Sequence, residues 1–170
     1  MSELQTIGRD ETIAVDALVD EVMVDLEPLA QEKEIKLIGN CKDTTMVGSD
    51  ILIYRMVYNL VENAIKYNHF GGQVTVTAYR KGKSICLSVE DTGSGIPAEL
   101  KERIFEPFFR VDKSRSRQLG GVGLGLALVR EIVRVHDGRI TVQSSPSGGT
   151  IFEVVFTPVS YTHLTLPTNS

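Results

Sequence analysis

The segment "NLVENAIKYN" (59–68) sets Asn59 and Asn63 four residues apart, with Glu62, Lys66 and Tyr67 beside them. At about 100° per residue, these five side chains gather on one side of a helix. Ile53, Met56, Val57, Leu60, Val61 and Ala64 gather on the other side. Asn is a poorer helix former than Ala by several tenths of a kcal/mol, and its side chain competes for backbone hydrogen bonds. A stripe rich in Asn is therefore either a solvated face or a place where amide oxygens and a cation meet a ligand.

Two glycine-rich segments favour the second choice. "DTGSGIP" (91–97) follows a strand and sets Gly93 and Gly95 two apart, allowing a close backbone approach or a tight turn. Asp91 falls at the strand end, where its carboxylate could accept from the exocyclic amine of a base. A guanine oxygen there would leave the carboxylate unpaired, at a cost of ~1–3 kcal/mol. A plain Asp-Gly turn before a helix begun by Pro97 is the alternative. "GGVGLGLALV" (120–129) puts Gly121, Gly123 and Gly125, interleaved with Val122 and Leu124, where a second long helix begins. Unpaired N–H groups and the favourable end of the helix dipole suit a phosphate chain there. Neither the P-loop nor the dinucleotide pattern fits: Leu126 stands where the first needs Lys and the second Gly.

Between these segments, "FEPFFRVDKSRSRQLGG" carries Arg110, Lys113, Arg115 and Arg117 against Asp112. The forked guanidinium donors suit a triphosphate. Phe105, Phe108 and Phe109 can anchor the base of this loop, or one exposed ring can mark a docking surface.

The elements that must position these groups follow from periodicity. Residues 15–34 read as an amphipathic helix and 35–40 as a short strand stopped by Gly39. Ser49 or Asp50 caps a helix running to about Asn68. Residues 73–91 alternate as a hairpin turning at Lys81-Gly82, and a short helix is expected over 98–103. A loop spans 105–121, a helix 122–137, and a closing hairpin 139–158 turns around Pro146 to Gly149. With a strand ahead of the first helix, the order β-α-β-α-β-β-α-β-β predicts a two-layer α/β sandwich.

The net charge of -4 argues against a general nucleic-acid binder, which needs a basic surface. Cys41 and Cys86, without ligand spacing, read as a buried, reduced pair that suits a cytosolic protein. No run is long and apolar enough to span a membrane, so a soluble domain is expected over 1–158, with its core at about 12–158. Residues 159–170 carry no placeable periodicity. Val159 to Leu164 back-translate into a transposon-end sequencing adapter, so this tail is expected to be disordered or non-native.

An Asn-bearing helix, then D-x-G-x-G, F-x-P-F and G-x-G-x-G in that order, resembles the catalytic ATP-binding domain of bacterial sensor histidine kinases. That group lies within the superfamily of Hsp90, type II topoisomerases and MutL. The resemblance covers about residues 12–158. It implies a Bergerat-type fold: a mixed, mostly antiparallel sheet on about three helices, with a flexible ATP lid.

It further implies that Asn63 ligates Mg²⁺, with Asn59 a possible second ligand towards the phosphates. Lys66 would contact phosphate, and Tyr67 would cover the adenine or ribose. Asp91 would accept from the adenine amine, with Gly93, Gly95 and Ile96 around the base. Arg110 and Arg115 become lid cations, Gly121 to Gly125 wrap the triphosphate, and Thr150 follows Gly149 in the closing box. Asn59, Glu62, Lys66 and Arg110 form the implied catalytic set. Asn59 stands where hydrolysing relatives carry a glutamate base, which points to phosphoryl transfer with slow hydrolysis. Val122 departs from the small hydroxyl residue common at its position.

Among His69, His136 and His163 none sits in an acceptor-like context. The acceptor histidine is therefore expected on a separate dimerisation domain of the same parent, with a response regulator downstream. The parent is expected to be anchored in the bacterial cell membrane with this domain in the cytoplasm, monomeric when isolated. A non-catalytic nucleotide-binding module and an anti-sigma-type serine kinase are the alternatives.

Overall fold

In chain order the elements are β1 (Glu11–Ala14), α1 (Val15–Glu32), β2 (Lys36–Cys41), β3 (Thr45–Gly48), α2 (Asp50–Lys66), β4 (Gln73–Lys81) and β5 (Ser84–Asp91). After two 3₁₀ turns come α3 (Gly125–Val135), β6 (Gly138–Ser144) and β7 (Thr150–Phe156). The structure, a computed structural model, describes residues 3–107, 109 and 125–158.

Alternation builds the main sheet. β4 and β5 pair antiparallel, with Gly82 at φ +63° in the turn, a conformation that costs little without a Cβ. The strand order is β2-β4-β5-β7-β6, with β2 parallel to β4 and the remaining pairs antiparallel. This is the mixed, mostly antiparallel sheet that the family resemblance implied. Register aligns Val76, Val89, Phe152 and Val142 in one cross-strand row, and Ala78, Leu87, Val154 and Ile140 in the next. The residues of these rows on β4, β5 and β7 are buried. Thr77, Ser88 and Glu153 point to the opposite, half-exposed face. Because side chains alternate across a sheet, the apolar rows share one face, and that face takes the helices.

The three helices supply that cover. Val15, Leu18, Val19, Val22, Leu26 and Ala30 form the buried stripe of α1. Ile53, Met56, Val57, Leu60, Val61 and Ala64 are all buried on α2, as their spacing predicted. Ser49 caps α2, its Oγ accepting from Leu52 N at 3.3 Å. Val129, Ile132 and Val133 complete the layer from α3.

Several sequence expectations are corrected. Gly39 does not stop β2. It pairs with Val76, and a Cβ there would lie 3.3 Å from the Met23 sulfur, so glycine lets the strand pass beneath α1. The helix expected over 98–103 is instead two 3₁₀ turns, Ala98–Leu100 and Arg103–Phe105. The segment is short enough for i to i+3 bonds to satisfy it. β1 and β3 form a separate antiparallel ribbon, each too short for alternation to show. Cys86 is buried but Cys41 is only half-buried; both are free thiols. Burial first, and then Asp20, raise the Cys41 thiol pKa. Among the described residues, no helix is long and apolar enough to cross a membrane.

Candidate functional site

The site is organised around the end of β5. Asp91 is buried, at 8% exposure. Its Oδ1 accepts from Gly93 N at 2.8 Å and from Thr150 N at 3.3 Å. Burial raises the Asp91 pKa, and these two backbone N–H groups oppose the rise. Both bonds end on Oδ1, so among the described residues Oδ2 is the carboxylate atom left to meet a donor.

Three chain segments press against this carboxylate. A Cβ on Gly93 would lie 2.5 Å from the Tyr67 carbonyl oxygen, and one on Gly149 would lie 2.0 Å from the Asp91 carbonyl oxygen. Gly95 has φ +79°, and its Cβ would lie 2.7 Å from the Gly148 carbonyl oxygen. The requirement for glycine at 93 and 95 is therefore already set by the chain's own backbone. The spacing alone had suggested close approach of a ligand as one reason. Ile96 is half-buried and packs on the core, and Thr150 is buried at 4% exposure.

The polar stripe of α2 runs beside this end of the sheet. Asn59, Glu62, Asn63 and Lys66 are each partly buried, so the stripe is not a fully solvated face. Asn59 Nδ2 lies 3.5 Å from the Gly125 carbonyl oxygen, bringing the stripe to the first residue of α3. Lys66 and Glu62 form a 3.9 Å ion pair. At that distance and exposure it contributes little, and the ammonium is available to an anion. Tyr67 follows the helix as its C-cap residue, 36% exposed. The amide oxygens of Asn59 and Asn63 are hard neutral donors, which fit Mg²⁺ held by few protein ligands and completed by phosphate oxygens.

Two anchors, one buried and one half-buried, had no sequence signal. Asn68, quoted above only as a helix-ending residue, is 3% exposed. Its Nδ2 donates to Gln73 O at 3.0 Å, while its Oδ1 accepts from His69 N at 2.7 Å and from the Thr92 hydroxyl at 3.1 Å. It thereby ties the end of α2 to the segment after Asp91. Lys33 reaches from the end of α1 and donates to the carbonyls of Ile65, Lys66 and Asn68 at 3.1, 2.9 and 2.8 Å. These are contacts between distant segments, so no local spacing announces them.

Phe105 is buried and meets Phe152 edge-on, with ring centroids 6.2 Å apart. Arg103 lies over the half-buried Phe109 ring at 4.7 Å. These contacts anchor the start of the basic segment, as the aromatic cluster suggested. Phe108, Arg110, Arg115, Gly121, Val122, Gly123 and Leu124 lie outside the described residues, as do the lid and the tail over 159–170.

A five-stranded mixed sheet under three helices is the architecture of Bergerat-fold ATP-binding domains. The chain belongs to the family of histidine kinase-, DNA gyrase B- and HSP90-like ATPases, whose sequence profile matches residues 48–160. It is homologous to the ATP-binding catalytic domains of sensor histidine kinases. The sensor-like histidine kinase SenX3 of Mycobacterium tuberculosis is 40% identical over 141 residues, which are 82% of this chain and 34% of SenX3. The chain thus spans about a third of the length of the curated relatives it matches. The catalytic domain of histidine kinase ThkA superposes with a TM-score of 0.78 at 27% identity, covering 88% of this chain and 96% of that one. Full-length ShkA in complex with AMPPNP gives 0.77 at 26% identity, over 88% of this chain and 31% of ShkA.

Proposed function

We propose that this domain binds Mg-ATP and transfers its γ-phosphoryl group to a histidine on a separate dimerisation domain of the same parent protein. The observation that carries this reading is the Asp91 carboxylate, with Oδ1 tied to two backbone N–H groups and Oδ2 left for a donor. A 6-amino group of adenine is such a donor, and a 6-oxo group of guanine is not. Tyr67 and Ile96 flank the base. Asn59, Asn63 and Lys66 face the phosphates, joined by Gly121, Gly123 and Gly125 and by Arg110 and Arg115. Asn63, with Asn59 as a possible second ligand, would hold Mg²⁺, which would supply positive charge against the triphosphate.

In the transfer, the bond between the γ-phosphorus and the β,γ-bridging oxygen breaks and a P–N bond to the acceptor imidazole forms. The electron pair leaves with ADP. Asn59, at the position where hydrolysing relatives carry a glutamate base, cannot take a proton from water, so hydrolysis is slow beside transfer to a positioned histidine. A response regulator receives the phosphoryl group next. The parent is anchored in the cell membrane with this domain in the cytoplasm, and the isolated domain is a monomer.

The test is calorimetric titration of ATP, ADP and GTP with and without Mg²⁺, followed by transfer to a cognate helical hairpin. Adenine-selective, Mg²⁺-sensitive binding and labelling of the hairpin's histidine are expected. Stable labelling of this chain alone, or binding indifferent to the base, would sink the reading.

A further inference from the structure

A second cavity, of about 520 Å³, lies at the other end of the sheet. Ile85 lines it and Asp91 does not; these residues sit near opposite ends of β5, ~20 Å apart at the strand rise. Arg9 from the N-terminal segment and Arg80 and Lys83 from the β4–β5 hairpin line this cavity, and Asp137 is the one carboxylate among the described lining residues. Among the described residues none of the three cations forms an ion pair, although the chain carries more acids than bases. Among the described residues Arg9 donates to the backbone oxygens of Gln5 and Ile7, and Arg80 to that of Thr45. His136 shares the wall but supplies no cation-like donor there, because its Nε2 accepts from Ser49 N at 3.0 Å. The rest of the wall is largely apolar, with Val47 64% exposed and Phe156 beneath.

We infer that this cavity is a second ligand site, for a small organic phosphate with an apolar body. Three cations against one carboxylate match a dianion better than a single negative charge, and guanidinium forks bind phosphate oxygens in pairs. The apolar floor takes the body of such a molecule. The volume falls in the range of small-molecule pockets, roughly 300–1,000 Å³. The site is separate from the nucleotide cleft and does not depend on that reading.

Amide chemical shifts of the whole labelled chain locate the ligand directly. Phenyl phosphate is the probe, with benzoate as the singly charged analogue and benzyl alcohol as the neutral one. Saturable movement of the Val47, Lys83, Ile85 and Asp137 amides is expected, with Gly93 and Thr150 unmoved. Benzoate binds more weakly and benzyl alcohol leaves the spectrum unchanged. Lys83→Glu and Arg80→Glu each weaken phenyl phosphate by about tenfold or more, since each reverses a charge facing a dianion. Lys83 forms no hydrogen bond or ion pair that its replacement would break among the described residues, so that variant keeps the fold. Movement confined to Gly93 and Thr150, no saturable movement at millimolar probe, or unchanged affinity in Lys83→Glu overturns the proposal.

Discussion

The Nζ of Lys33 donates to the carbonyl oxygen of Asn68 at 2.8 Å, and the same ammonium takes the carbonyls of Ile65 and Lys66. One cation from α1 thus closes the end of α2, where helix carbonyls lack intrahelical partners and the dipole favours positive charge. Lys66 and Tyr67 lie inside the segment it holds. Lys33→Met keeps the aliphatic stem but removes the ammonium, and should cost about 2 kcal/mol. Thermal unfolding should show this as a fall of roughly 5 °C. Nucleotide affinity should fall with it; an unchanged melting temperature would refute the capping role.

Asp91 should separate stability from recognition. Its folded pKa lies above the ordinary 3.8, chiefly through burial. The folded state therefore holds the proton more tightly than the unfolded chain, so ionising Asp91 lowers stability as pH rises through that window. Asn at this position keeps an oxygen for the N–H groups of Gly93 and Thr150 without the buried charge. Asp91→Asn should be at least as stable as the wild type at pH 7 while losing adenine selectivity. Urea unfolding from pH 4 to 7, run beside ATP and GTP titrations, checks both halves.

His136 should give the opposite slope. Its pKa is lowered from 6.5, first by burial and further by Arg9, against raising effects of the Ile132 carbonyl and Asp137. Nδ1 lies 2.8 Å from the Ile132 carbonyl oxygen, so with Nε2 accepting from Ser49 N the neutral ring carries its proton on Nδ1. The unfolded chain binds the proton more readily, so stability is full above 6.5 and declines as pH falls towards the lowered folded pKa. His136→Phe should remove that slope. It should also cost about 1–3 kcal/mol at pH 8, by leaving the Ser49 N–H unpaired.

Two glycines should respond oppositely to alanine. At Gly149 the new Cβ meets backbone 2.0 Å away, so the variant should lose at least about 3 kcal/mol or fail to fold. At Gly125 no atom of the described residues lies within 4 Å of the new Cβ, so Gly125→Ala should leave stability unchanged or raise it by about 0.5–1 kcal/mol. If the start of α3 wraps a phosphate chain, that same variant should weaken ATP. Equal affinity would show that glycine at 125 serves no ligand.

Much of the site was legible because its signals are local. Helical spacing separated Asn59, Glu62, Asn63 and Lys66 from the apolar face of α2, and strand alternation brought Asp91 to the end of β5. Each depends only on a side chain's angle about its own element. Folding decided what requires distant segments to meet. Asn68 is buried because α2 ends at Lys66 and its next turn folds back onto Gln73 and Thr92. Gly93 is demanded by the Tyr67 carbonyl and Gly149 by Asp91, contacts created only when three loops close on one strand end. The amide of Ser49 finds its acceptor on His136, 87 residues away, and the end of α2 finds its cation on Lys33. Periodicity along the chain records which face of an element is buried; which polar groups meet across the layers follows only from their packing.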